Sequence, residues 1–226
     1  MLIPFPTDWR TALVLVPHPD DPEYGLAAAV AKWSGAGKRV VYALASRGEA
    51  GIEGLPPEKA GPIREAEQRA SAQIVGVESV EFWDFPDSAI VNDPGLRLRI
   101  AEVIGRVAPE VVVSVYGGPQ WGPGMPNQRD HTEFAAAVLQ TYDFLETKPR
   151  WLFEAGPDAT HAEEVDDDVI EPAVRSLAAH QTYLAALDPV TPVLDQARRQ
   201  VEMVTAARED FDERHAVTFE LKRRTR

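Results

Sequence analysis

The chain has 226 residues, 44% of them hydrophobic, and 36 acidic against 23 basic side chains give a formal net charge of −13. That length suits one α/β domain with a sizeable core and is short for two, while the negative balance argues against nucleic acid or an anionic membrane surface as a partner, since both would be repelled. With no cysteine, neither a disulfide nor a thiolate metal site can form, so any metal must sit on His, Asp or Glu.

The N-terminus, Met1-Leu2-Ile3-Pro4-Phe5-Pro6-Thr7-Asp8, has no basic segment followed by a long apolar one, so no signal peptide is expected. No apolar run approaches the ~18 residues of a transmembrane helix, and a cytoplasmic location is expected. Residues 12–16 read as a buried strand and residues 26–33 as an Ala-rich helix stopped by Gly35 and Gly37. Gly35-Ala36-Gly37-Lys38 faintly resembles a phosphate loop, but it precedes a strand and no Ser or Thr follows the lysine. A second strand is expected over 39–45, and a Gly- and Pro-rich loop over 47–61. Pro62 then opens a helix over 63–75. A short strand at 80–83, a helix at 96–107 and a buried strand at 111–116 follow. Residues 117–126 read as a loop over the site or a passive surface loop. Beyond it the pattern predicts a helix over 132–145, a strand over 151–154 and, from about 166, helices over 169–187 and 193–207. Residues 216–221 alternate like an edge strand or an extended tail.

Strand-helix-strand order with nearly continuous apolar strands implies an α/β fold, a Rossmann-like three-layer sandwich around a mostly parallel sheet, in a single domain over 1–226. Ligands of such sheets bind beyond the carboxyl ends of the strands. The first strand runs directly into Pro17-His18-Pro19-Asp20-Asp21-Pro22-Glu23, a proline-stiffened loop offering one imidazole and two adjacent carboxylates. His18 and Asp21 suit a catalytic zinc, with Asp20 beside them as a general base. A third ligand must come from elsewhere, and His161, His180 and His215 are candidates. His131 is better placed, because it opens a helix after the strand that ends at Tyr116. Read more plainly, Asp21 before Pro22 only caps a helix.

The loop resembles the opening motif of the N-acetylglucosaminyl-phosphatidylinositol de-N-acetylase (LmbE-like) family. The likeness continues through Ser46-Arg47-Gly48-Glu49-Ala50-Gly51, Arg64-Glu65-Ala66-Glu67, Phe85-Pro86-Asp87 and Leu177-Ala178-Ala179-His180-Gln181-Thr182. It implies a zinc-dependent amidase, with iron(II) as the alternative metal, acting on the acetamide of a small N-acetylglucosamine conjugate. Metal would sit on His18, Asp21 and His131. Asp20 would be the base, with Asp130 and Gln128 also catalytic, and Arg64, His180 and Asp87 would meet the substrate. Glu49 reads as a loop-ordering carboxylate. Where the family carries His-x-Asp-His, this chain has Gln128-Arg129-Asp130-His131, and glutamine cannot deliver a proton at neutral pH. A weakened metal- and sugar-binding relative of the same fold is therefore the alternative. Self-association into a homo-oligomer is left open by the sequence.

Overall fold

A computed structural model describes residues 1–225. The chain runs β1 (Ile3–Pro4), β2 (Thr11–Val16), α1 (Asp21–Gly25), α2 (Ala27–Gly35), β3 (Arg39–Leu44), α3 (Pro57–Ile74), β4 (Ser79–Phe82), α4 (Pro94–Val107) and β5 (Val111–Val115). It continues through β6 (Gln120–Gly122), β7 (Met125–Pro126), α5 (Arg129–Phe144), β8 (Trp151–Ala155), β9 (His161–Glu164), α6 (Asp167–Ala178), α7 (Gln181–Leu187), α8 (Val193–Val204), β10 (Ala207–Arg208) and β11 (Arg214–Arg224).

The sheet has the order β1-β9-β11-β8-β5-β2-β3-β4, with β10 paired to β11. Strands β2, β3, β4, β5 and β8 are mutually parallel, and Leu13 at the centre aligns with Val41 on one side and Val112 on the other. Val, Leu and Ala fill these strands because both faces are covered by helices, so no polar face is needed. From β2 the chain moves outward through β3 to β4, then crosses back to β5 and β8. Right-handed crossovers therefore put α2 and α3 on one face and α4 and α5 on the other. In keeping with this, α6 packs on α2, α3 and α8, while α4 packs on α5. Strand order reverses between β2 and β5, where a doubly wound sheet leaves a crevice.

Several local expectations differ from the structure. Strand β11 is no edge or tail: it lies inside the sheet, antiparallel to both β8 and β9. Its alternation records which side chains face the core and carries no information about backbone partners. The helix expected at 63 begins at Pro57, which occupies its first turn, so Pro62 lies inside it. Pro62 is exposed, and the helix forgoes one backbone bond there. The helix expected over 169–187 breaks at His180, whose ψ of 56° leaves the helical range. The short pairs β1–β9 and β6–β7 were unforeseen. No described helix is long and apolar enough to cross a membrane.

Candidate active site

Three loops meet at the crevice, those following β2, β3 and β5, joined by the loop after β4. The loop after β2 turns sharply at Asp20, whose φ is +80°, a conformation Asp tolerates better than most residues. Asp20 rather than Asp21 stands at the N-cap of α1, and its side chain caps nothing. Asp21, the first residue of that helix, accepts the His18 backbone N–H at 2.8 Å through Oδ2. The capping role expected of Asp21 is therefore absent, and its carboxylate faces imidazoles instead.

His18 Nδ1 lies 3.5 Å from Asp21 Oδ2, and His131 Nε2 lies 3.0 Å from Asp21 Oδ1. One carboxylate thus addresses two imidazoles whose ring centroids are 5.5 Å apart. The opposite nitrogen of His18, Nε2, faces Asp130 Oδ2 at 3.1 Å and Asp87 Oδ1 at 3.2 Å. Asp130 is itself held by the Ile90 N–H at 3.2 Å. Burial works to lower the pKa of His18, but hydrogen bonds to Asp130, Asp21 and Asp87 outweigh it and hold the pKa well above the usual imidazole value. Burial likewise works to raise Asp21, and the facing His131 and His18 overcome it, leaving Asp21 below the ordinary carboxylate range.

This set fits a cation. Ligand atoms of His18, Asp21 and His131 all lie within 4.8 Å of one another. His131 is buried; its Nδ1 has no hydrogen-bond partner among the described residues, and its Nε2, although 3.0 Å from Asp21 Oδ1, lacks the alignment of a good hydrogen bond. An orphaned buried imidazole is costly, and a metal ion satisfies it. Two imidazoles and a carboxylate suit zinc or iron(II). Asp87 and Asp130 form a second candidate donor set with His18; with a cation on His18, Asp21 and His131 they would instead orient the His18 ring from its far side. The other histidines are engaged elsewhere: His161 Nδ1 meets Thr160 Oγ1 at 2.9 Å and His215 Nδ1 meets the Thr205 carbonyl at 2.8 Å.

Asp20 is 5% exposed. Burial raises its pKa to about 6, with Arg64 pulling the other way and Asp21 adding to the rise. Arg64 donates to Asp20 Oδ1 at 3.0 Å, to the Pro19 carbonyl at 2.8 Å and to the Gly48 carbonyl at 3.1 Å. It also stacks over Tyr183 at 4.0 Å. Gly48 and Gly51 lie so close to the guanidinium that any side chain there would overlap it. Behind this pair, the Gln68 Oε1 accepts the Asp20 N–H at 2.7 Å and its Nε2 donates to Glu23 Oε1 at 2.9 Å. Glu23 Oε2 in turn lies 3.4 Å from His180 Nε2, both side chains fully buried. Arg64 and His180 are thus both buried and engaged by protein partners. The sequence passed over Gln68 and Glu23; helical spacing from Arg64 to Gln68 (i, i+4) was the available signal.

Glu49 orders its loop as expected, accepting the Arg47 N–H at 3.2 Å and the Asp87 N–H at 2.9 Å. Asp87 also accepts the Ala50 N–H at 2.8 Å, so three loops are tied through it. Gln128 is exposed at the N-cap of α5, and its side chain caps nothing. The loop over 117–126 folds into the β6–β7 hairpin, with Trp121 edge-on to His131 at 6.4 Å between ring centroids.

Relatives share this framework. A probable N-acetyl-alpha-D-glucosaminyl L-malate deacetylase 2 of Bacillus anthracis is 26% identical over 209 residues, covering 87% of this chain and 89% of that protein. A diacetylchitobiose deacetylase of Thermococcus kodakarensis is 27% identical over 192 residues, covering 77% of this chain and 70% of its own. Among solved structures, N,N'-diacetylchitobiose deacetylase from Pyrococcus horikoshii superposes with a TM-score of 0.80 at 17% identity, over 95% of this chain and 84% of that one, which shows the shared fold. The family described as PIG-L, GlcNAc-PI de-N-acetylase, matches residues 13–142. That stretch is more than half of the chain and holds every loop that meets at the crevice, and on it the chain belongs to the PIG-L family.

Proposed function

We propose that this protein is a metal-dependent amidohydrolase that removes the acetyl group from a small N-acetylglucosamine conjugate, releasing acetate and the free amine. The observation that carries the reading is the convergence of His18, Asp21 and His131 at the strand-order reversal, with Asp20 buried beside them. The relatives named as deacetylases support the substrate class.

In this reading His18, Asp21 and His131 hold the cation, with zinc preferred and iron(II) the alternative. When bound, it supplies Lewis acidity to the acetamide carbonyl and to the attacking water. Asp20 takes a proton from that water, for which a carboxyl raised to about 6 is suited. The water oxygen bonds to the acyl carbon, the carbon–nitrogen bond breaks, and the proton on Asp20 passes to the leaving amine. Gln128 donates an amide N–H to the carbonyl oxygen as charge gathers there. Asp130 and Asp87 fix the His18 ring, and Asp87 meets a sugar hydroxyl as well. Arg64 and His180 act through their neighbours, Arg64 by holding Asp20 and His180 by backing Glu23 and Gln68. The work is done in the cytoplasm on a small molecule, without a nucleic-acid or membrane partner.

A metal- and sugar-binding relative without turnover is the second reading, favoured by Gln128, which can donate a hydrogen bond but cannot deliver a proton to the leaving amine at neutral pH. Metal content and acetate release from N-acetylglucosaminides decide between them. Wild type is expected to hold about one equivalent of metal. His131→Ala should lose it, and Asp20→Asn should keep it while losing acetate release. Metal without turnover in wild type supports the second reading. No metal, even after soaking with zinc, overturns both.

A further inference from the structure

The loop between β5 and α5 sets its aromatic side chains in a contiguous series. Tyr116 and Trp121 have ring centroids 5.0 Å apart at an interplanar angle of 47°, and Trp121 stands at 81° to His131. Tyr116 is immobilised. Its hydroxyl donates to Asp158 Oδ2 at 3.0 Å, and Gly118 and Gly156 flank its ring so closely that a Cβ at either would overlap it. The hairpin is pinned as well: Asn127 Nδ2 donates to the carbonyls of Tyr116 and Gly118, both at 2.8 Å. Pro123 and Gly124, the latter at φ +75°, close β6 on β7 with the residue pattern of a type II turn.

Trp121 is held from behind by Tyr116 and from one edge by His131, yet it is 39% exposed. The other four of the five tryptophans, Trp9, Trp33, Trp83 and Trp151, are 4%, 2%, 3% and 4% exposed. A lone exposed aromatic is ordinary. One packed at a tilt against a clamped tyrosine and set edge-on to a metal-ligand candidate is a prepared surface, because much of its ordering cost has been met before any ligand arrives.

Resting on the reading above, we infer that Trp121 is the platform on which the substrate's pyranose ring lies, and that it selects a cyclic amino sugar over an acyclic acetamide. A pyranose presents an apolar face of C–H groups that complements the negative face of an indole ring. The 2-acetamido group projects from the ring's rim, and His131 is the neighbouring ring at 6.4 Å, so a sugar lying on Trp121 can present that group to the metal-ligand candidates.

Trp121 is its own reporter, because a collisional quencher such as acrylamide reaches it and not the four buried indoles. The probes are methyl N-acetyl-α-D-glucosaminide and N-acetylethanolamine, added to the zinc-loaded protein. The glucosaminide should shield Trp121 from quenching, and N-acetylethanolamine should not. Trp121→Ala should raise KM for the glucosaminide about tenfold with kcat within about twofold, leave the acyclic amide unaffected, and be largely rescued by Trp121→Phe. Unshielded Trp121 while calorimetry shows the sugar bound overturns the platform, as does an equal loss on both substrates. Shielding that instead rises with protein concentration in the absence of sugar assigns Trp121 to a contact between copies and overturns it too. Shielding without acetate release defeats the hydrolase reading alone; acetate release without shielding defeats the platform alone.

Discussion

Replacing Arg64 with methionine separates a structural guanidinium from a substrate contact. The Arg64 side chain is 3% exposed and the Asp20 side chain 7%, so their 3.0 Å ion pair is almost fully removed from solvent. Methionine fills a similar volume but leaves the Asp20 carboxylate and the Pro19 and Gly48 carbonyls without their donor. Breaking one side of a buried pair costs on the order of 3–5 kcal/mol, because the stranded charge keeps its desolvation penalty. Some apolar contact with Tyr183 survives, which favours a loss of about 4 kcal/mol, a large share of the ~5–15 kcal/mol that holds a typical domain. For a chain of this size the midpoint should fall by roughly 10 °C. Urea titration and calorimetry of the metal-free protein at pH 8 measure it. Arg64→Lys should recover only part, since a single ammonium cannot span three acceptors set around a planar fork. A loss under about 1 kcal/mol, with KM raised instead, would refute the argument and return Arg64 to the substrate-contact role that the family resemblance implies.

Gln128→His restores an imidazole at an exposed position whose side chain caps nothing, so stability should change by less than about 0.5 kcal/mol. Acetate release should hold or rise; a fall of ~10²–10³ would show that this chain depends on the amide as its own oxyanion donor. Glu154, buried at the end of β8, accepts the Gly117 N–H at 3.0 Å. Burial raises its pKa against the pull of that N–H and of Lys222. A carboxyl raised on folding contributes stability below the ordinary glutamate range and loses it as pH climbs through the raised value. Glu154→Gln keeps an acceptor without the charge, so its stability relative to wild type should improve between pH 4 and pH 7. A flat or falling difference in denaturation midpoints would contradict that.

How much was legible in the sequence follows from the range of the forces involved. The apolar runs of β2, β3 and β5 are visible because burial on both faces removes any need for polar residues. The start of the helix at Pro57 is misplaced from sequence because Pro62 reads as a first-turn residue, whereas in the fold the packing of this 18-residue helix offsets the roughly 3 kcal/mol cost of an interior proline. His18 and Asp21 could be picked out because they follow β2 directly, and His131 because it opens the helix after β5, at the ends where a parallel sheet opens its crevice. That Arg64 and His180 are buried, and what each one touches, is invisible to a motif, which carries residue types and order alone.

By itself, then, the sequence determined the α/β architecture, the parallel central strands and the set of polar residues gathered at their ends, all of which depend on local patterning and chain order. Only the tertiary structure decided that β11 lies inside the sheet, that the 169–187 stretch breaks at His180 beside Glu23, and that Arg64 spends its donors on Asp20 and two carbonyls. It also decided that Trp121 reaches the metal-ligand candidates through a hairpin clamped at Tyr116. Each of these rests on contacts between segments far apart along the chain, and neither periodicity nor spacing carries that information.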